Sequence, residues 1–208
     1  MEQEFISISG KHLKYLQYIP EKEEKLPLVL YIHGAGSRGK DLERLKENPA
    51  LCRILEHAGK TAVVVAPLCH VNTWFELFES LLEFVEFQIH QPNVDAARVY
   101  VTGASMGGYT TWQLCMSRPS WFAAAVPVCG GGMYWNADQL KDLPIWAFHG
   151  VQDTVVYAEE SIKMVKAINQ YGGNAKLTVF SQDSHDSWTN AYNTKELWTW
   201  LFEQKRSV

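Results

Sequence analysis

A short turn, Gly103-Ala104-Ser105-Met106-Gly107, constrains the fold of this chain more than any other feature. An apolar stretch at 99–101 leads into the turn, and a helix-like stretch at 109–116 follows it. A Gly-x-Ser-x-Gly turn between a strand and a helix is a nucleophile elbow, which holds the serine hydroxyl clear of the backbone at the edge of a sheet. The flanking glycines are needed because a side chain at either position would crowd so tight a bend. We therefore predict a strand–turn–helix unit that displays Ser105.

Short apolar segments recur along the chain and indicate a sheet. Eight strands are expected, at residues 5–9, 14–19, 28–32, 62–66, 99–102, 124–128, 145–148 and 177–180. The first two alternate in polarity or flank turn residues, which is typical of an antiparallel edge hairpin. The other six are near-continuous apolar runs, as in parallel strands that are buried on both faces.

Helical patterns separate most of these strands. An apolar stripe at spacings of three and four covers 75–89, a weaker one covers 162–168, and a last helix is expected near 194–202. This alternation predicts an α/β fold of parallel β-α-β units: a mostly parallel sheet of about eight strands with helices on both faces. No repeat or linker interrupts the pattern, so we expect a single domain over 1–208. The connection at 131–144 is too short for a large lid domain, which predicts an open, shallow site.

Charge and the N-terminus argue against two classes of partner. The formal net charge is −4, and the lysines and arginines form no basic stripe, so no nucleic-acid partner is expected. The acidic N-terminus lacks the features of a signal peptide, and no apolar run is long enough to span a bilayer. We therefore expect a cytoplasmic protein without a membrane partner. The oligomeric state stays open.

The cysteines do not indicate a metal site. The chain has four, none of them in a Cys-x-x-Cys pair and each among apolar neighbours: Cys52, Cys69, Cys115 and Cys129. We expect buried, reduced thiols. No second cluster of ligands accompanies Cys69-His70, so neither a metal nor another cofactor is expected.

Three polar residues come after different parallel strands, in the order Ser105, Asp153, His185. Loops beyond the carboxyl ends of parallel strands meet at one edge of a sheet, so these side chains are expected to converge. A serine hydroxyl becomes an effective nucleophile when a base takes its proton, and imidazole titrates near neutral pH. A carboxylate on the far ring nitrogen would orient that base. We therefore expect a catalytic triad of these three residues.

The oxyanion that forms in such a reaction needs fixed hydrogen-bond donors. The elbow offers the backbone N–H of Met106. The turn that follows the third strand, Gly34-Ala35-Gly36, offers that of Ala35. We predict these two groups as the oxyanion hole.

Some of these residue types also have purely structural interpretations. Ser105 alone could cap a helix, and His33 and His149, each before a glycine at a strand end, are interpreted as loop-bracing groups. Four more aspartates lie before the seventh strand or too close in sequence to His185 to face its ring: Asp138, Asp142, Asp183 and Asp186. Asp153 is therefore the predicted acid.

A second glycine motif competes with this interpretation. The Gly-x-Gly-x-x-Gly at 34–39 follows a strand, as a dinucleotide fingerprint does. The fingerprint also requires an acidic residue at the end of the next strand, and that strand here ends in Ala66-Pro67. The sequence therefore argues against a nicotinamide-dependent oxidoreductase.

Together the motifs resemble those of α/β-hydrolase esterases, in particular the predicted-peptidase, feruloyl-esterase-like and phospholipase/carboxylesterase groups. The resemblance spans 26–202 and rests on H-G-A-G-S-R-G at 33–39, G-A-S-M-G-G-Y at 103–109, V-C-G-G-G at 128–132, H-G-V-Q-D at 149–153 and H-D-S-W at 185–188. It implies the same triad and the same oxyanion donors. The chain departs from these relatives at Ser184, where they often have glycine, and at Ser37, where they often have an acid.

The resemblance also suggests substrate-binding residues: Gly36, Arg38, Trp74, Gly131 and Trp188. Arg38 is expected either to meet an acidic group of the substrate or to form a surface ion pair. Trp188 is expected to line the site, and Trp74 either to line it or to pack in the core. The implied function is hydrolysis of small or soluble carboxylic esters through an acyl-enzyme. A serine peptidase on the same triad and a non-catalytic binding protein are the alternatives.

Overall fold

The computed structural model describes residues 1–206, in which eight strands form one sheet. They are β1 (Glu2–Ile6), β2 (His12–Tyr18), β3 (Leu26–Ile32), β4 (Val63–Pro67), β5 (Val94–Ala104), β6 (Ala124–Val128), β7 (Trp146–Gly150) and β8 (Lys176–Phe180). Their order across the sheet is β1-β2-β4-β3-β5-β6-β7-β8. Strands β3 to β8 pair in parallel, whereas β1 and β2 pair antiparallel at one edge. The predicted mostly parallel sheet is confirmed.

The central strands are apolar because each of their faces packs against a separate hydrophobic core. In β3, Leu28 and Leu30 enter one core, and Val29 and Tyr31 enter the other. Successive side chains of a strand point to opposite faces, so a strand buried on both sides needs an unbroken apolar run.

Helices cover both faces of the sheet. They are α1 (Glu43–Lys46), α2 (Pro49–Ala58), α3 (Phe78–Ile89), α4 (Met106–Ser117), α5 (Glu159–Gln170), α6 (Trp188–Asn193) and α7 (Lys195–Glu203). The apolar sides of α3, α4 and α5 contribute to one core, and those of α2, α6 and α7 to the other. Between β6 and β7 the chain forms only 3-10 turns, at Tyr134–Leu140, in place of a lid. No helix within residues 1–206 is long and apolar enough to cross a bilayer.

The edge hairpin lies earlier in the chain than predicted. Strand β1 ends at Ile6, because the next residues form the turn: the Ser7 carbonyl accepts a hydrogen bond from Gly10 N–H at 2.9 Å. Gly10 has φ +75°, a conformation that glycine adopts readily. The apolar residue Ile8 is therefore exposed at this turn.

Helix α2 was not among the predicted helices, although its start is marked in the sequence. Asn48 caps it by accepting a hydrogen bond from Leu51 N–H at 3.0 Å, and Pro49 occupies its first turn. This helix also corrects the expectation for the cysteines. Cys69, Cys115 and Cys129 are buried free thiols, but Cys52 lies on the outer face of α2 and is exposed.

Candidate active site

The predicted elbow joins β5 to α4 at Ser105, which has φ +58° and ψ −120°. A non-glycine residue rarely adopts a positive φ, and such strain is concentrated at functional sites. The turn is tight: a Cβ atom on Gly107 would lie 1.8 Å from the Ile32 carbonyl oxygen, and one on Gly103 would lie 2.6 Å from the same atom. The close approach of α4 to β3 therefore explains both glycines of the motif.

The three residues of the predicted triad lie within hydrogen-bonding distance of one another. His185 Nδ1 is 2.7 Å from Asp153 Oδ2, and His185 Nε2 is 2.9 Å from Ser105 Oγ. The carboxylate is an acceptor, so Nδ1 carries the hydrogen, and the neutral ring then accepts the Ser105 hydroxyl at Nε2. Loops after β5, β7 and β8 bring these groups together at the carboxyl edge of the sheet.

The Asp153 carboxylate is buried but well supplied with donors. Its Oδ1 accepts the backbone N–H groups of Val155 and Val156, each at 2.9 Å, and its Oδ2 accepts His185 Nδ1–H. Burial alone would raise the pKa of Asp153, yet the hydrogen bonds from His185 and these two amides hold it below its usual value. The group is therefore an anion at neutral pH, as orientation of an imidazole base requires.

The loop after β3 lies against the elbow. A Cβ atom on Gly34 would come within 3.4 Å of the Ser105 Cβ, so the backbones of the two segments are adjacent. Within residues 1–206, neither the Ala35 N–H nor the Met106 N–H donates a hydrogen bond to another group of the chain. Both amides are thus available to an oxyanion beside Ser105.

Arg38 holds this loop in place through hydrogen bonds of its guanidinium group. Its Nε donates to the Ala35 carbonyl at 2.9 Å, and its Nη1 donates to the Asn72 carbonyl at 2.6 Å. The guanidinium therefore joins the predicted oxyanion loop to the loop after β4. Within residues 1–206 these bonds take the place of a surface ion pair, and contact of Arg38 with an acidic substrate group stays a prediction.

His33, at the start of the same loop, is buried and braces it as expected. Its Nδ1 donates to the Gly34 carbonyl at 2.7 Å, and its Nε2 accepts the Cys69 N–H at 3.0 Å. Burial lowers the pKa of His33 from 6.5 to about 4, because a charged ring would lose its hydration. His33 is therefore neutral at pH 7.

A cavity of about 450 Å³ opens beside the nucleophile. It is lined by Tyr31, Gly34, Ala35, Gly36, Ser37, Asn48, Pro49, Ala50, Ala104, Ser105, Val155, His185, Asp186 and Trp188. Two of the predicted substrate-binding residues, Gly36 and Trp188, are in this lining, and the Trp188 ring packs edge-on against that of His185.

Trp74 and Gly131 are not in the lining, and their places in the fold explain why. Trp74 is fully buried in the core, where its Nε1 donates to the His33 carbonyl at 3.0 Å. Gly131 is buried against α5, where a Cβ atom would lie 2.7 Å from a carboxylate oxygen of Glu160.

Several lining residues were missed by the sequence analysis. Asn48, Pro49 and Ala50 belong to the start of α2, and Tyr31 donates its hydroxyl to Asn48 Oδ1 at 3.0 Å. The Asn-Pro pair marks a helix N-terminus in the sequence. Nothing in the local pattern says that this helix packs beside the nucleophile.

The Cys129 thiol also lies near the triad. Its sulfur and one ligand atom each of Asp153 and His185 are all within 4.8 Å of one another, a geometry compatible with a metal ion. Burial raises the pKa of Cys129 to about 12. The Asp153 and His185 atoms are already bonded to each other. The donor set therefore fits a triad better than a metal centre.

Comparisons with known proteins identify the family of this chain. The profile of the dienelactone hydrolase family matches residues 69–197, more than half of the chain. Acetylxylan esterase A of Emericella nidulans is 28% identical over 130 residues, which is 59% of this chain and 42% of that protein. Probable feruloyl esterase C of Aspergillus terreus is 25% identical over 178 residues, 80% of this chain and 64% of that protein. The chain thus spans less than two thirds of the length of these relatives.

Solved structures show the same architecture. A thermostable esterase superimposes with a TM-score of 0.86 at 32% identity, over 99% of this chain and 63% of its own. Est1E of Butyrivibrio proteoclasticus has a TM-score of 0.77 at 17% identity, over 98% of this chain and 99% of its own, which indicates a shared fold. The resemblance to α/β-hydrolase esterases and the predicted fold class are confirmed, and the chain belongs to the dienelactone hydrolase family.

Proposed function

We propose that this protein is a serine esterase that hydrolyses carboxylic esters through an acyl-enzyme. One observation carries the proposal: an unbroken hydrogen-bonded chain runs from Ser105 Oγ through the His185 ring to Asp153 Oδ2, with links of 2.9 and 2.7 Å. A nucleophile bonded to a base that is itself oriented by a carboxylate is the arrangement that acyl transfer requires.

In this mechanism Ser105 Oγ attacks the ester carbonyl while His185 Nε2 takes its proton. The Asp153 carboxylate stabilises the imidazolium that forms, and the Ala35 and Met106 N–H groups donate to the oxyanion. Collapse of the tetrahedral intermediate expels the alcohol, which receives the proton from His185. Water, activated by the same imidazole, then attacks the acyl-Ser105 ester and releases the acid.

The cavity supports small or compact acyl groups as substrates. Its walls include the apolar residues Pro49, Ala50, Val155 and Trp188, and its volume of about 450 Å³ is at the low end for ligand sites. Two relatives bear the names acetylxylan esterase and feruloyl esterase, which points to an acetyl or an aromatic acyl group. We expect esters of such acids to be preferred over long-chain esters.

A panel of 4-nitrophenyl esters and peptide 4-nitroanilides tests this proposal. Acetate, butyrate, octanoate and ferulate esters would report the acyl preference, and the anilides would report peptidase activity. A fluorophosphonate probe should label the wild-type protein and fail to label Ser105→Ala, whose ester turnover should fall by at least about 10³-fold. Turnover by Ser105→Ala at the wild-type rate would refute a serine mechanism. Faster cleavage of anilides than of esters would favour a peptidase, and an inert but folded wild-type protein would favour a binding protein.

A further inference from the structure

A second buried histidine lies behind the triad. The side chain of His149, the penultimate residue of β7, is fully buried, and its Nε2 is 3.4 Å from Asp153 Oδ2, the oxygen that binds His185. His149 is not one of the residues that line the cavity. Its contacts lie instead on the loop that carries Asp153 and Val156.

The hydrogen bonds of His149 define its tautomer and its orientation. Nε2 faces two acceptors, the Val156 carbonyl at 2.9 Å and the Asp153 carboxylate at 3.4 Å, so Nε2 carries a hydrogen. Nδ1 is then an acceptor and takes the hydroxyl hydrogen of Ser161, whose Oγ lies 2.8 Å from it and 3.0 Å from the Gly130 carbonyl oxygen. The ring is thereby tied to helix α5.

The residue that His149 holds is one that binds the carboxylate. Val156 donates its N–H to Asp153 Oδ1 and offers its carbonyl to His149 Nε2. Val156 therefore links the His149 ring to the Asp153 carboxylate. Displacement of the ring would loosen the loop and let the carboxylate turn away from His185.

We propose that His149 is a positioning residue for catalysis, which sets the orientation of Asp153 by holding the Val156 carbonyl and by placing its ring 3.4 Å from Asp153 Oδ2. This inference rests on the proposed serine esterase function. It differs from plain loop bracing because it requires the effect of His149 on turnover to pass through the Asp153 carboxylate.

A matched pair of polar substitutions tests the proposal. The amide of His149→Gln can place a donor near the Nε2 position, whereas that of His149→Asn reaches only the Nδ1 position. We expect His149→Asn to lower kcat by about 10–100-fold, since misplacement of catalytic groups by about 1 Å costs up to 10²-fold. KM should change little, and His149→Gln should recover most of the lost kcat. All rates are taken per active site that the fluorophosphonate probe labels, which corrects for unfolded protein.

A double-mutant cycle then separates positioning from general stability. In an Asp153→Asn background the carboxylate is gone, so His149→Asn should cause no further loss of kcat. Ile168→Ala, a core substitution in the same helix as Ser161, should lower stability without changing kcat per labelled site. Equal losses in the two backgrounds, or wild-type kcat in His149→Asn, would overturn the proposal.

Ser161→Ala provides an independent route should the His149 variants not fold. It frees Nδ1 while the ring remains, and we expect a smaller loss of kcat that also vanishes in the Asp153→Asn background. Unchanged kcat in Ser161→Ala, or a loss that persists without the carboxylate, would count against the proposal. Failure of these tests while Ser105→Ala is inactive would remove only the role of His149. An active Ser105→Ala would instead remove the esterase mechanism itself.

Discussion

His185 Nδ1 lies 2.7 Å from Asp153 Oδ2, although the two residues are 32 positions apart in the chain. The parallel pairing of β7 with β8 produces this contact, because it brings the loops that follow both strands to the same edge of the sheet. Asp153 Oδ1 also accepts hydrogen bonds from the backbone N–H groups of Val155 and Val156, and these bonds fix the plane of the carboxylate relative to the imidazole. The orientation of the proposed base is therefore built into the sheet.

Replacement of Asp153 by asparagine should nearly abolish turnover while the fold survives. The amide cannot accept the Nδ1–H of His185 as a carboxylate does, so the ring loses both its tautomer and its charge partner. By analogy with the equivalent change in serine proteases, we expect kcat to fall by about 10³–10⁴-fold. Steady-state kinetics on 4-nitrophenyl acetate, with circular dichroism as the control for folding, measures this. A loss below about tenfold would show that Asp153 is not the orienting acid.

The turn glycines should be intolerant of side chains for a steric reason. A Cβ atom on Gly107 would lie 1.8 Å from the Ile32 carbonyl oxygen, and the nearest atoms are all backbone of Ile32 and His33, so no flexible side chain can move aside. We expect Gly107→Ala to lower the free energy of unfolding by about 3 kcal/mol or more, as overpacking in a rigid core does. Gly36→Ala is the matched control, since nothing lies within 4 Å of its Cβ position. Urea denaturation of both variants decides the point, and equal stabilities would contradict the structure.

Because His33 is buried, the free energy of unfolding should decrease as the pH is lowered below neutral. Its pKa is lowered from 6.5 to about 4 by burial, so between these values the unfolded chain binds a proton that the folded protein excludes. The free energy of unfolding therefore decreases as pH falls from about 6.5 to 4, by about 3 kcal/mol from this group. The depressed pKa of Asp153 acts in the same direction, but its contribution is lost as pH falls through that lower value.

His33→Gln separates these two contributions. The glutamine carbonyl can accept the Cys69 N–H that His33 Nε2 now accepts, yet it cannot titrate. Urea unfolding at a series of pH values should show a flatter dependence between pH 4 and 6.5 in the variant. Identical slopes in the two proteins would mean that His33 is not the buried neutral group.

Two exposed valines that flank Asp153 allow a test of the cavity. Val155 is in the cavity lining and Val151 is not, although both are more than half exposed and lie two residues from the carboxylate. Val155→Phe should narrow the cavity and lower the octanoate-to-acetate ratio of kcat/KM by about tenfold, an ordinary value for a hydrophobic pocket. Val151→Phe should leave the ratio unchanged. Parallel kinetics on the two esters provides the measurement, and equal effects of both variants would place acyl groups elsewhere.

Much of the architecture follows from local patterns in the sequence. The apolar runs of β3 to β8 indicate strands that are buried on both faces. The two elbow glycines indicate a tight turn, in which backbone atoms leave no room for side chains. The edge hairpin lies earlier in the chain than the polarity of its strands predicts, because the turn at Gly10 sets where the two strands pair. Helix α2 was not predicted, because the role of its apolar face is seen only where that face packs against the sheet.

Local residue patterns are enough to place Ser105 on an elbow and to put an aspartate and a histidine after later parallel strands, in an order that lets the three meet. These properties depend on chain order and on backbone geometry, which local residue types control. Three assignments became clear from the packing of the folded chain: Trp74 belongs to the core, Arg38 binds carbonyls of two loops, and α2 forms a wall of the cavity. Such assignments depend on how distant elements pack, because a side chain's surroundings are set by neighbours that its own stretch of sequence does not contain.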